Sequence, residues 1–168
     1  DEGALSTGKV ALLAARGVLP DGTPFDFPAA HPAPLALDFP PDARNAIVYL
    51  ALPLRRPESL EDALPSDTAA DLARFTQADE EFSDSTTADS SAQPVKVGYP
   101  RLRLVVAEQI SDAFLRIGVL RVSERRPDNS LLVDRSYIPP GLSCRSSPVL
   151  ASIVREICGQ LKQRSDAL

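Results

Sequence analysis

The chain has 168 residues, enough for one ordinary domain and too few for two of typical size. Its 16 prolines and 5% aromatic content favour short elements joined by rigid turns. A net charge of -5, with 18 basic residues interspersed among 23 acidic ones, offers no basic stripe for nucleic acid, and the longest apolar stretch, Ala46 to Leu54, falls well short of the roughly 20 residues a bilayer span requires.

No charged segment followed by an apolar run and a small-residue cleavage site stands at the start, so no secretory signal is read and a cytosolic address is expected. With no Met in the chain, Asp1 is not expected to be a translation start, and the sequence is expected to be a fragment or a processed form.

From Lys9 to Arg16, Val10, Leu12, Leu13 and the alanines suit a strand. The turn Pro20-Asp21-Gly22-Thr23 then brings the chain back through Pro24 to Phe27 as a hairpin, because Pro presets the bend and Gly accepts positive φ. Pro28, Pro32 and Pro34 stiffen an extended link to a short segment at Leu35 and Leu37. Asn45 to Leu54 (NAIVYLALPL) is apolar on both faces, with Val48, Leu50, Leu52 and Leu54 on one and Ile47, Tyr49 and Ala51 on the other, which predicts a central strand. Residues 57–72 read as an acidic loop. Residues 73–94 are richer still in Asp, Glu, Ser and Thr, and read as either an exposed edge hairpin or a mobile stretch.

Extended structure resumes at Pro94 to Gly98, where Val95 and Val97 alternate, and again at Arg101 to Ala107 (RLRLVVA) after the break at Tyr99-Pro100. In Phe114 to Ser123 (FLRIGVLRVS), strict alternation places Leu115, Ile117, Val119 and Arg121 on one face and Phe114, Leu120 and Val122 on the other. Pro127 to Ser130 makes the next turn and Leu131 to Asp134 the next strand. The period then changes: Leu150, Ile153, Val154, Ile157 and Leu161 recur at helical spacing, Ser147 can cap the amide donors, Pro148 suits the first turn, and Lys162 and Arg164 suit the last. About eight strands and one late helix predict a mainly β fold, a β-sandwich over residues 1–146, with a C-terminal α-helix over 147–168. The helix stripe is expected to bury itself against the sandwich or against neighbouring protomers.

Catalytic constellations are not found. The only His, His31, lies between prolines in PAAHPAP and reads as an exposed loop residue. Cys144 has no activating partner in sequence and Cys158 falls on the apolar side of the helix, so neither a nucleophile nor a structural disulfide is expected. The acidic run Asp79, Glu80, Glu81, Asp84 lacks the spacing and central Gly of a calcium loop and reads as solvated charge. Gly-rich phosphate loops are absent, and no cofactor or metal is expected. Arg55, Arg56, Arg125 and Arg126 are paired charges at strand ends; they are either solvated or, since Arg is enriched at interfaces, candidate partner contacts.

The segments RGVLPDGTPFDFP (16–28), VYLALPLRRP (48–57), RLRLVVAEQISDAFLRIGVLRVSERR (101–126) and YIPPGLSCRSSPVLASIVREICGQLKQRSDAL (137–168) together resemble the TssK family of type VI secretion baseplate subunits, also called ImpJ or VasE. The family's customary opening, a Trp-containing and Gln-rich segment, is not present. The resemblance implies a β-sandwich like the shoulder of phage receptor-binding proteins. It also implies a helical neck, a trimer, and docking on a wedge of TssF and TssG at the cytoplasmic face of the inner membrane, the membrane complex being reached only through a C-terminal domain outside this sequence. Two rival readings stay open. A carbohydrate- or ligand-binding sandwich wants exposed aromatics, where Trp is absent and Tyr numbers 3. An enzyme domain completed by residues outside this sequence wants a cofactor or a pocket.

Overall fold

The computed structural model describes residues 1–56, 62–64, 72–83 and 92–166. Helix α1 (Glu2–Ser6) is followed by strands β1 (Lys9–Val10), β2 (Ala15–Val18), β3 (Pro24–Phe27), β4 (Leu37–Asp38) and β5 (Ala46–Pro53). Then come β6 (Asp62–Ala63), β7 (Phe75–Ser83), β8 (Ala92–Pro100), β9 (Arg103–Val106), β10 (Phe114–Arg125), β11 (Leu131–Val133) and helix α2 (Pro148–Asp166).

The expected central strand is central. β5 lies between β9 and β10 in an antiparallel sheet of order β11-β10-β5-β9, and Val48, Leu50, Ala51 and Leu52 are each 0% exposed. The ribbons β1–β4 and β2–β3 form a second layer: Val10, Leu19, Phe25, Phe27 and Phe39 pack with Val48, Leu50, Leu52, Leu104, Val106, Val122 and Leu131 in one core. The predicted mainly β architecture with a late helix is therefore the observed one. Burying such side chains, at about 1.5–3 kcal/mol each, is what offsets the entropy of ordering these short strands.

Turn chemistry sets the hairpins where the sequence placed them. In β2–β3, Gly22 has φ 88 and the Asp21 carboxylate accepts from the Thr23 amide at 3.0 Å. In β10–β11, Asp128 accepts from the Ser130 amide at 2.9 Å beside Asn129 at φ 68. The single strand predicted from Lys9 to Arg16 is instead two, β1 and β2, facing different partners. Helix α1 was not expected; its five residues are too few to show a period, and the Asp1 side chain caps it.

The largest departure lies in β10. Its pairing with β5 shifts between Gly118 and Leu120, leaving Val119 as an extra residue. One inserted residue reverses the alternation, so Leu120 and Val122 join Leu115 and Ile117 toward the core, while Arg121 joins Phe114 and Arg116 on the outer face. Of the two readings of residues 73–94, a hairpin is observed, but its return strand β8 takes in the Pro94 to Gly98 segment expected apart from it and runs through Tyr99-Pro100 without a break, β7 and β8 pairing from Phe75↔Pro100 to Ser83↔Ala92. Residues 84–91, including Asp84, lie outside the described residues.

Candidate functional site

The groups that could carry chemistry do not converge. His31 is held inside its loop, where Nε2 accepts the Asp26 amide at 2.9 Å. It borders a shallow, open cleft of about 480 Å³ with Arg16, Phe25, Asp26 and the exposed Leu142. Arg16 and Asp26, opposed on β2 and β3, both line it and pair at 3.6 Å. Cys144 and Cys158 are exposed and unbonded, and among the described residues no group of three or more His, Cys, Asp or Glu could hold a metal ion. No helix among the described residues is long and apolar enough to cross a membrane.

The arrangement can therefore offer surfaces. Of the four strand-end arginines, Arg55 and Arg56 stand exposed just beyond β5, and Arg126 stands exposed where β10 enters its turn. Arg125 differs. A second bulge between Val122 and Glu124 turns it to the Leu131 side, where its Nη1 donates to the Phe39 carbonyl at 2.8 Å and pairs with Asp38 at 3.3 Å. Its guanidinium packs on Gly8, at φ 78, where an added Cβ would come within 2.7 Å. Arg125 thus ties β10 to β4 and the N-terminal segment, a position within the chain rather than at a free strand end.

Helix α2 is capped as expected, the Leu150 amide donating to the Ser147 hydroxyl at 3.4 Å. Its stripe is not covered by the sandwich: Ile153 is 43%, Val154 41%, Ile157 51% and Leu161 62% exposed, Leu150 is half-buried, and the helix has no buried residue. Of the two covers expected for it, the β body does not supply one among the described residues. Cys158 shares this exposure.

Two further surfaces escape a reading by strict alternation. On the outer face of the large sheet, Arg103 and Arg116 flank Ala51 in one cross-strand row, and Val105 and Gly118 flank Tyr49 in the next. Each arginine on this face lies over a ring: Arg103 over Phe114 at 5.7 Å, Arg116 over Tyr49 at 5.7 Å, and Arg121 over Tyr137 at 5.2 Å. Tyr137 reaches this place because Gly118 has no side chain; an added Cβ would lie 2.2 Å from the phenol oxygen. Burial pushes the Tyr137 phenol above its ordinary range and neighbouring Tyr49 adds to this, against the opposing pull of Arg121. Arg121 also pairs with Asp134 at 3.5 Å; hydrogen bonds from Ser136 first, and this arginine second, hold that carboxylate below its usual range.

The other surface is the β7–β8 arm. Directly opposed residues of an antiparallel ribbon share a face. Thr76, Ala78, Glu80 and Phe82 therefore stand with Tyr99, Val97, Val95 and Gln93, which is an apolar face with Glu80 as its one charge. Phe82 is 48% and Val95 43% exposed.

Comparison with known proteins places these surfaces in context. A family model described as bacterial type VI secretion, EvfL, ImpJ, VasE matches residues 1–168. The type VI secretion system baseplate component TssK1 of Pseudomonas aeruginosa is 40% identical over 168 residues, covering 100% of this chain and 38% of that protein. A crystal structure of TssK aligns with TM-score 0.91 and 36% identity over 99% of this chain and 38% of the solved one. A cryo-electron microscopy structure of a type VI secretion TssK-TssF-TssG baseplate subcomplex shares the fold at TM-score 0.86 and 24% identity, over 99% of this chain and 55% of that one.

Proposed function

The chain belongs to the type VI secretion family of ImpJ and VasE, and from that premise we propose that it is the baseplate-facing structural domain of a TssK-type adaptor. In this reading residues 1–146 dock on a wedge of TssF and TssG, residues 147–168 lead into a helical neck where copies associate as a trimer, and the membrane complex is reached through parts of the protein beyond this chain. The domain works without catalysis, in the cytoplasm at the inner face of the inner membrane.

The observation that carries the reading is the pairing of a β body, whose side chains assemble no metal-binding group among the described residues, with a capped helix whose apolar stripe lies open from Ile153 to Leu161. An amphipathic helix with nothing to cover its stripe in its own chain is built for a helix from another. The relative named TssK1 and the subcomplex containing TssF and TssG support the choice of partners. Arg55, Arg56 and Arg126, exposed at the ends of β5 and β10, are the proposed wedge contacts.

Capture experiments on the full-length protein with separately tagged subunits test the docking claim. TssF and TssG should be retained through this domain and lost on charge reversal at Arg55 and Arg56 with folding intact. Capture of membrane-complex subunits through this domain, without the wedge, would sink the reading. The neck is tested by Ile157→Asp. Because Ile157 is 51% exposed, the melting of the β body should move by less than about 1 kcal/mol, while the mass of the assembly should fall toward that of single copies. Unchanged mass would remove the neck assignment.

A further inference from the structure

The β7–β8 arm is a stability problem as it stands. Its nine paired positions make a ribbon about 30 Å long at roughly 3.3 Å per residue, yet β6 adds to it only at the root, opposite Phe75 and Thr76. A two-stranded ribbon is marginal in water and gains stability when its apolar face is covered. Here that face, carrying Ala78, Phe82, Val95 and Val97, has no element of the chain packed substantially upon it among the described residues. A second face is in the complementary condition: the outer side of β9-β5-β10, where Arg103 and Arg116 flank Ala51 beside the Tyr49 row and Arg116 is exposed.

We infer that the arm of one copy lies face-down on the arginine–aromatic sheet face of a second copy. The inference rests on the reading above that copies of this protein associate, and adds the surface by which the β bodies do so. Charge selects the occupant. The arm's apolar face carries a single charge, the carboxylate of Glu80, and the sheet face holds Arg103, Arg116 and Arg121 over rings, Arg121 being paired with Asp134 and Arg116 standing exposed. Glu80 against Arg116 gains an ion pair in a partly dehydrated setting, while Phe82, Val95 and Val97 cover Tyr49 and Val105. The two faces belong to different parts of the same chain, so each copy both gives an arm and receives one, whether reciprocally in a two-fold pair or around a closed ring.

The test uses full-length protein with Cys144 and Cys158 replaced by Ser. Two differently tagged copies are co-expressed, one with Val97→Cys on the arm and one with Val105→Cys on the sheet, so that a disulfide joining the tags can form only between copies. The cross-tag disulfide should form on mild oxidation. It should drop about tenfold with Glu80→Arg or with Arg116→Glu, equivalent to about 1.4 kcal/mol, and return when both reversals are combined. A disulfide formed equally in every charge background overturns the inference. So does its absence from a protein that still assembles and still binds the wedge, an outcome that leaves the baseplate reading intact. Absence of the disulfide together with a monomeric mass overturns both the inference and the trimeric reading. Loss of wedge binding with Glu80→Arg, at unchanged cross-linking, makes the arm a wedge contact and overturns the inference as well.

Discussion

Truncating Phe39 to Ala is expected to cost about 3–5 kcal/mol of unfolding free energy, enough to unfold a domain of ordinary stability at physiological temperature. Phe39 is 0% exposed and is the hinge between the two layers. Its amide donates to the Gly8 carbonyl at 3.0 Å, its carbonyl accepts from Arg125, and its ring fills the core beside Val10 and Phe27. Removing the ring leaves a void that neighbours locked in strands cannot fill, so the loss exceeds the transfer free energy of the atoms removed. Chemical denaturation of wild type and variant should show the midpoint shift at unchanged slope. A shift of less than about 1 kcal/mol would mean that the second layer is not packed as described.

The second large effect belongs to Arg74, which is 5% exposed at the root of the arm. Its guanidinium donates to the Pro53 carbonyl at 2.8 Å, to the Asp21 carboxylate at 2.5 Å and to the Thr23 hydroxyl at 2.5 Å, joining the end of β5 to the β2–β3 turn. Arg74→Ala leaves the Pro53 carbonyl and the solvent-facing Asp21 carboxylate without their donor and should cost about 1–3 kcal/mol, less than a fully buried pair because Asp21 is open to water. Burial by itself raises the Asp21 carboxyl, but hydrogen bonds from Thr23 and Arg74 outweigh it and hold the group below 3.8. A carboxyl depressed in the folded state stabilises above its unfolded value and loses that contribution as pH falls through the folded one. The gap in stability between wild type and Asp21→Asn should therefore be full at pH 7 and close below about pH 4. A gap that widens in acid would contradict the ion pair.

Much of this fold is legible in the sequence, for identifiable reasons. β5 is apolar on both faces and could only be central, and α2 repeats its apolar residues over enough turns to declare a helical period. The Asp21-Gly22 and Asp128-Asn129 turns carry residues that their backbone angles demand. What sequence does not show is where a single residue is inserted. The bulge at Val119 is marked only by the single Gly118 beside it, a signal that strict alternation passes over, yet it decides which side chains of β10 face the core, and with them the row that brings Arg121 to Tyr137. The arm is hard to read for a related reason. Its apolar face is divided between two strands, each giving alternate positions among acidic and polar neighbours, so neither strand alone looks buried.

The candidate site divides the same way. Arg55, Arg56, Arg125 and Arg126 look alike as charged pairs at strand ends. Only the fold separates Arg125, turned inward by a bulge onto Gly8 and Phe39, from the three that face solvent. The helix stripe was visible as a period, but its cover was not. Amphipathicity states that a face wants a partner and says nothing about which chain supplies it.

Hydrogen–deuterium exchange of the full-length protein, alone and bound to the TssF/TssG wedge, tests the central claim most directly. The account predicts new protection within residues 1–146, including the segments around Arg55, Arg56 and Arg126, with exchange beyond this chain unchanged. Protection confined to regions beyond residue 168, with residues 1–146 exchanging alike in both states, would contradict it.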